Sequence, residues 1–315
     1  MFRGRHLRKK GAARVFIFPE MRGVLKRTGK MKTFFYSVIV RLLIMAVFIT
    51  VLVSCGGHGK TAYDRYVVLS PEVAEILAHL GVGYRIVGRT AECDYPRELQ
   101  DIEVIGNFGQ ISLERVVALN PSIVFASALE QDEIAEQLQR LNIRTVQFYP
   151  HNTAELLSVI RELGEICGVV EKADSLAAYL DNRFSHFREI ADSRESKPRV
   201  FIEIYGNPIM SASNGSYVGQ LLLYAGAENI FPELIRDYAR VNAEDVVHLN
   251  PDIIILTYPG INANDVQNRR GWGNVNAVRN NRIYTIYDVN PDLLLRATPR
   301  NIKGIERLKL IMDNG

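Results

Sequence analysis

EKADSLAAYLDNRFSHFREIADSRES, Glu171 to Ser196, is the stretch whose reading decides the fold. Ala173, Leu176, Ala177, Leu180, Phe184, Phe187 and Ala191 recur by threes and fours, which puts them in one stripe of a 3.6-residue spiral. Asp174, Asp181, Asn182, Arg188 and Asp192 fall on the opposite side, and nothing inside the stretch breaks a helix. The spacing therefore predicts one helix rising about 35 to 40 Å, longer than most helices of a small domain and long enough to span two lobes.

The flanking sequence supports two lobes. Residues 111–126, ISLERVVALNPSIVFA, recur 130 positions later as VNAEDVVHLNPDIIIL, residues 241–256. Glu114 and Glu244, Val116 and Val246, Val117 and Val247, Leu119 and Leu249, Asn120 and Asn250, Pro121 and Pro251, and Ile123 and Ile253 coincide. Ser112 and Asn242 each stand where a short helix would be capped, Leu-Asn-Pro would end it, and a buried strand would follow. NIRTVQFYP (142–150) and NRIYTIYD (281–288) form a second matching pair, each read as a strand. The fold class expected is α/β, two doubly wound Rossmann-like lobes joined by a single long bridging helix. A ligand would then sit in the crevice between them.

Charge divides the chain. Of 38 basic and 35 acidic side chains, twelve and one fall in residues 1–54, which leaves 26 against 34 and a net near −8 for the rest. No basic nucleic-acid footprint remains there. Residues 1–54 read as a leader with a signal peptide, whose start fits Met31 best: a basic region at Lys32 precedes the apolar run LLIMAVFITVLV (42–53), too short to span a membrane comfortably. Residues 55–65 read as a tether. Gly59-Lys60-Thr61 within it is not a phosphate loop, because Ser54 stands where the motif needs its first glycine.

From Tyr66 the chain alternates. YVVL (66–69), YRIVG (84–88), EVIG (103–106) and TVQFY read as strands, while SPEVAEILAHL (70–80), Gln131 to Leu141 and Thr153 to Cys167 read as helices. The expected divisions are an N-terminal lobe over 66–168, the bridging helix over 169–196 and a C-terminal lobe over 197–315. The last opens with RVFIEIY (199–205), continues with a helix from Gly215 to Ala225 and a late loop from Asp288 to Arg296, and closes with a helix from Pro299 to Met312. Cys93 and Cys167 lack CxxC spacing and predict no metal or redox centre; their pairing does not follow from sequence.

Leu52-Val53-Ser54-Cys55, VVLSPEVAEIL, CDYP, SLERVVALNPSIVFA and RATPR (296–300) together resemble a cluster of bacterial ABC-importer substrate-binding lipoproteins serving cobalamin, haem and ferric siderophores. The resemblance runs from about Tyr66 to Met312 and is closest to the vitamin B12-binding members. It implies lipidation at Cys55, a membrane held through that lipid, a permease with its ATPase as partner, a monomer, no cofactor and no catalytic residue. It assigns permease docking to Glu114 and Glu244, although a Glu two residues past a helix cap also stabilises the helix N-terminus by itself. It places ligand contacts at Glu92, Phe108, Ser127, Tyr238, Asp292 and Arg296, with Glu92 and Ser127 standing where those members carry aromatics. Tyr205, at the end of the second lobe's first strand, joins the set by position.

For a corrinoid, aromatic faces would cover the macrocycle, and Asp292 with Arg296, four residues apart, would meet its amides. A ferric siderophore would instead use Arg89, Arg240 and Arg296, and haem would need an axial ligand, for which His151 is the best-placed histidine. An enzyme on the same scaffold is the remaining alternative. No GxGxxG follows the first strand, and no nucleophile or paired-carboxylate set is evident.

Overall fold

The structure, a computed structural model, describes residues 64–128 and 131–314. The leader, Cys55 and nearly all of the tether lie outside the described residues.

The N-terminal half builds one sheet. Its elements are β1 (Tyr66–Val68), α1 (Pro71–His79), β2 (Ile86–Thr90), β3 (Val104–Asn107), β4 (Gln110–Ile111), α2 (Leu113–Ala118), β5 (Ile123–Ser127), α3 (Asp132–Arg140) and β6 (Thr145–Phe148). The strands order as β4-β3-β2-β1-β5-β6, all pairs parallel except the β3–β4 hairpin. Strand order reverses between β1 and β5, so the crevice of this lobe opens beyond Val68 and Ser127, the last residues of those strands, beside Ser70, which caps α1. At the other end of β1, Arg65 is fastened down: its backbone N–H donates to Ser122 Oγ at 3.1 Å and its Nε to the Leu119 carbonyl at 2.9 Å.

The central layer is a pair of helices, α4 (Thr153–Cys167) and α5 (Val170–Asp192). Gly168 turns between them at φ 68°, a left-handed conformation that glycine adopts without a Cβ penalty. At 23 residues α5 is about 34 Å long. Of the sequence stripe, Ala173, Ala177, Leu180, Phe184, Phe187 and Ala191 are buried and Leu176 is half-buried, while the five polar positions are exposed. The helix ends four residues earlier than the periodicity predicts. Lys197 precedes Pro198, which steers it out of the helical region, and the chain must turn from Ser193 to enter a strand at Arg199.

The C-terminal half comprises β7 (Arg199–Glu203), β8 (Tyr205–Gly206), β9 (Ile209–Ala212), α6 (Tyr217–Tyr224), β10 (Glu228–Asn229), β11 (Tyr238–Arg240), α7 (Ala243–Leu249), β12 (Ile253–Leu256), α8 (Ala263–Gln267), α9 (Asn276–Arg279), β13 (Ile283–Tyr284), α10 (Asp292–Leu295) and α11 (Asn301–Asp313). Its parallel sheet orders as β10-β7-β12-β13, with the reversal between β7 and β12. A separate antiparallel sheet, β11-β9-β8, lies beside it and was not expected from the sequence. Tyr205 therefore begins a hairpin strand and does not end β7, which stops at Glu203.

The duplicated pattern is visible in the backbone. Asn120, Asn250, Asn142 and Asn281 are the non-glycine residues with left-handed φ among the described residues, two from each matched pair. Asparagine tolerates that region because its short amide compensates locally. The two caps differ from expectation. Ser112 Oγ accepts the Arg115 N–H, whereas Asn242 accepts nothing at its helix and turns its amide to donate to Asp245 at 3.0 Å. One apolar core runs through both halves, from Tyr66, Phe125 and Leu156 through Phe184 to Val200, Leu221 and Ile305.

Candidate functional site

The two halves meet along a seam held by charge. Glu75, on the buried side of α1, is fully buried, a costly place for a carboxylate without partners. Arg300 of the C-terminal half grips it bidentately, Nε to Oε2 at 2.6 Å and Nη2 to Oε1 at 2.5 Å. Arg296 adds a third bond at 3.3 Å and also reaches Asp94 at 3.1 Å and Asp292 at 3.2 Å. The Arg300 guanidinium lies 3.7 Å from the centroid of the Tyr95 ring. The RATPR and CDYP segments are thus two sides of one cross-seam lock. Sequence reasoning paired Asp292 with Arg296 but missed Glu75; the signal available was an acidic side chain inside the apolar helix SPEVAEILAHL.

Further along, His151 Nδ1 faces Asp237 at 3.8 Å, and Thr153 bonds the Tyr224 hydroxyl at 3.0 Å. Between these fastenings lies a narrow hollow of about 20 Å³. Glu72, Val73, Phe148, Tyr149, Tyr217, Tyr238 and Leu295 are among the residues that line it, and both halves contribute. It holds about one water and no macrocycle, so a large ligand would lie over the strand ends rather than inside the seam.

The expected ligand residues are dispersed along this face. Tyr238 lines the hollow, and Asp292 and Arg296 stand at the lock. Glu92 is half-buried beside the CDYP loop, its Oε2 shielded from solvent and without a hydrogen-bond partner. Phe108 caps the β3–β4 turn and lines an open recess of about 670 Å³ together with Ser112, Arg115 and Glu133. Ser127 is 4% exposed at the end of β5, its N–H donating to Gln131 Oε1 at 2.7 Å. Tyr205, 52% exposed, stands on the C-terminal half beside Tyr258, ring centroids 6.1 Å apart. Arg89 is buried, its guanidinium on the carbonyls of Thr90, Ala91, Leu99 and Gln100, where it shapes the loop and faces no ligand.

Glu114 and Glu244 occupy matching places, each exposed in the first turn of its helix, α2 or α7. A recess of about 440 Å³ lies against Glu244, lined also by Val247 and Arg270. Burial, and for Tyr258 also the Glu203 carboxylate, pushes the phenols of Tyr238 and Tyr258 well above the usual tyrosine range, so both stay protonated near neutrality. Cys93 and Cys167 are free and buried; burial pushes the Cys93 thiol up to about 12. Among the described residues no cluster of His, Cys, Asp or Glu is arranged to hold a metal ion.

Residues 67–289 match the periplasmic binding protein family. An uncharacterized ABC transporter substrate-binding lipoprotein, YvrC of Bacillus subtilis, is 31% identical over 256 residues, 79% of this chain and 80% of the relative. A vitamin B12-binding protein of Salmonella paratyphi A is 28% identical over 78% of this chain and 89% of its own length. Among solved structures, the vitamin B12 binding protein BtuF of Vibrio cholerae superposes with a TM-score of 0.67 at 22% identity, covering 80% of this chain and 97% of its own. The haem-binding protein RhuT of Roseiflexus sp. RS-1 gives 0.72 at 21%, covering 80% and 99%. At those identities the two structures speak for the fold alone.

Proposed function

The chain belongs to the periplasmic binding protein family, and from that premise we propose that its cargo is a corrinoid of the vitamin B12 kind. It is an extracytoplasmic substrate-binding protein of an ABC importer, working with a permease and its ATPase, and not an enzyme. The observation that carries the choice of cargo is the state of Arg296. Its guanidinium is neutralised by Glu75, Asp94 and Asp292, and that of Arg89 is spent on backbone carbonyls, so of the three cations an anionic ferric siderophore would use only the exposed Arg240 remains. Tyr238 and Tyr205 offer ring faces, and their neutral rims suit amides. The vitamin B12-binding relatives support the same choice.

A haem reading is favoured by one feature, His151, which stands at the end of β6 with its ring edge-on to Tyr149. The phenols of Tyr238 and Tyr258 oppose it, since ferric iron takes tyrosine as the phenolate and burial makes their protons harder to displace than an ordinary tyrosine's. Lipidation at Cys55 would tether the protein to a membrane, at roughly 0.8 kcal/mol per buried methylene. The ligand contacts in this reading are Glu92, Phe108, Ser127, Tyr205, Tyr238, Asp292 and Arg296, and the permease contacts are Glu114 and Glu244. Calorimetric titration of the mature chain with cyanocobalamin, haemin and a ferric catecholate tests it. Binding of cyanocobalamin in preference to the other two is expected; binding of haemin or the catecholate alone would overturn the assignment.

A further inference from the structure

Glu203 ends β7 at the point where strand order reverses in the C-terminal sheet, the place where open α/β sheets take ligands. Its carboxylate is fully buried. Arg269 meets it with two parallel bonds, Nη1 to Oε2 at 2.5 Å and Nη2 to Oε1 at 2.6 Å. The Tyr258 hydroxyl, from the strand end across the reversal, donates to the same carboxylate. Arg269 is in turn backed by the buried Trp272, 4.6 Å from its ring centroid. Gly206 completes the fit, because a Cβ there would come within 2.2 Å of the Tyr258 hydroxyl. The Tyr258 ring is thereby fixed at both its tip and its flank, beside the exposed ring of Tyr205.

The two tyrosines border an open recess of about 390 Å³ whose polar lining is Asn207, Asp265 and Arg269. Glu203 and Arg269 cancel each other's charge, and Asp265 Oδ2 accepts the Asn262 N–H at 2.8 Å. An anionic edge would therefore meet no unpaired cation here, whereas an uncharged edge bearing amides would find donors and acceptors.

We propose that Tyr205 and Tyr258 form a second ring-binding face for the cargo, selective for a flat macrocycle with a neutral, amide-bearing edge, and that Glu203 and Arg269 are its positioning residues. This rests on the carrier reading above and adds residues to it. A Glu203–Arg269 pair serving only to join β7 to the segment after α8 would need no tyrosine fixed at the solvent boundary.

The test compares the mature chain with its Tyr258→Ala, Tyr258→Phe, Glu203→Gln and Tyr238→Ala variants, using calorimetry and the visible circular dichroism of bound cyanocobalamin, with haemin as the second probe. Tyr258→Ala is expected to weaken cyanocobalamin about three- to tenfold, the range of an aromatic contact. Tyr258→Phe keeps the ring without its anchor and should change the visible dichroism while affinity stays within about twofold; Glu203→Gln should shift the dichroism in the same sense. Unchanged affinity in Tyr258→Ala, with Tyr238→Ala weakened, overturns this face and leaves the carrier reading standing. A wild type that takes haemin and excludes cyanocobalamin overturns the neutral-edge selectivity, and one that takes neither overturns both readings. Should Glu203→Gln fail to fold, the two Tyr258 variants decide.

Discussion

Glu75 is the residue whose loss should cost most. Truncating one partner of a buried, hydrogen-bonded pair strands the other charge, and Arg300 is only 8% exposed. Glu75→Ala is expected to lower the stability by about 3 to 5 kcal/mol in urea unfolding, and Arg300→Met in the same chain should recover part of it. The buried thiols give a pH signature. The Cys93 thiol ionises at about 12 in the fold against 9.0 unperturbed, and burial raises Cys167 as well. The unfolded chain therefore loses these protons first, and stability should be intact below pH 9 and fall above it, by up to about 1.4 kcal/mol per pH unit for Cys93, with Cys167 adding in the same direction. A Cys93→Ala, Cys167→Ala chain should show a shallower decline between pH 9 and 10. At this scale the sequence spoke unevenly. Asn120 and Asn250 declared themselves through a repeated Leu-Asn-Pro, but Glu75 and Glu203 are single acidic letters inside apolar runs, whose partners lie 225 and 66 residues away.

Helices α4 and α5 pack so closely that Gly164 has no room for a side chain: a Cβ there would fall 2.2 Å from that of Ala173. Gly164→Ala should cost about 1 to 3 kcal/mol, as overpacking does, and Ala173→Gly in the same chain should restore much of it in thermal unfolding. The long helix was legible because its stripe repeats over many turns and burial follows the stripe. The β8–β9–β11 sheet was not, because strands of two to four residues are shorter than a period-2 pattern needs to stand out from a loop. That omission mattered for the site, since Tyr205 and Tyr238 both lie on these strands. The helical turn Asp292–Leu295 was likewise read as loop, four residues being too few for a helical period.

For the whole molecule, the alternation of strands and helices was readable because the central parallel strands β1, β5, β7 and β12 are buried apolar runs and most crossovers carry a helix. What sequence did not convey was how tightly the halves are joined, since a lock of Glu75, Arg296 and Arg300 is a long-range coincidence with no local pattern. Reversal of charge at both Glu114 and Glu244 to Lys should abolish uptake in cells carrying the cognate permease while calorimetric affinity for the ligand stays unchanged; uptake that persisted would remove the docking roles. Rim charges of this kind govern encounter and register.

The chain enters the fold at Arg65, clamped beneath Ser122 and Leu119 at the end of β1 remote from the ligand face. A protein leashed from that underside would hang with its mouth turned outward, ready for passing cargo. Were Glu114 a permease contact, such a leashed protein would have to somersault to hand the cargo over, because Glu114 begins α2 whereas Leu119, which holds Arg65, ends it. Leash length would then become a kinetic variable of delivery in its own right.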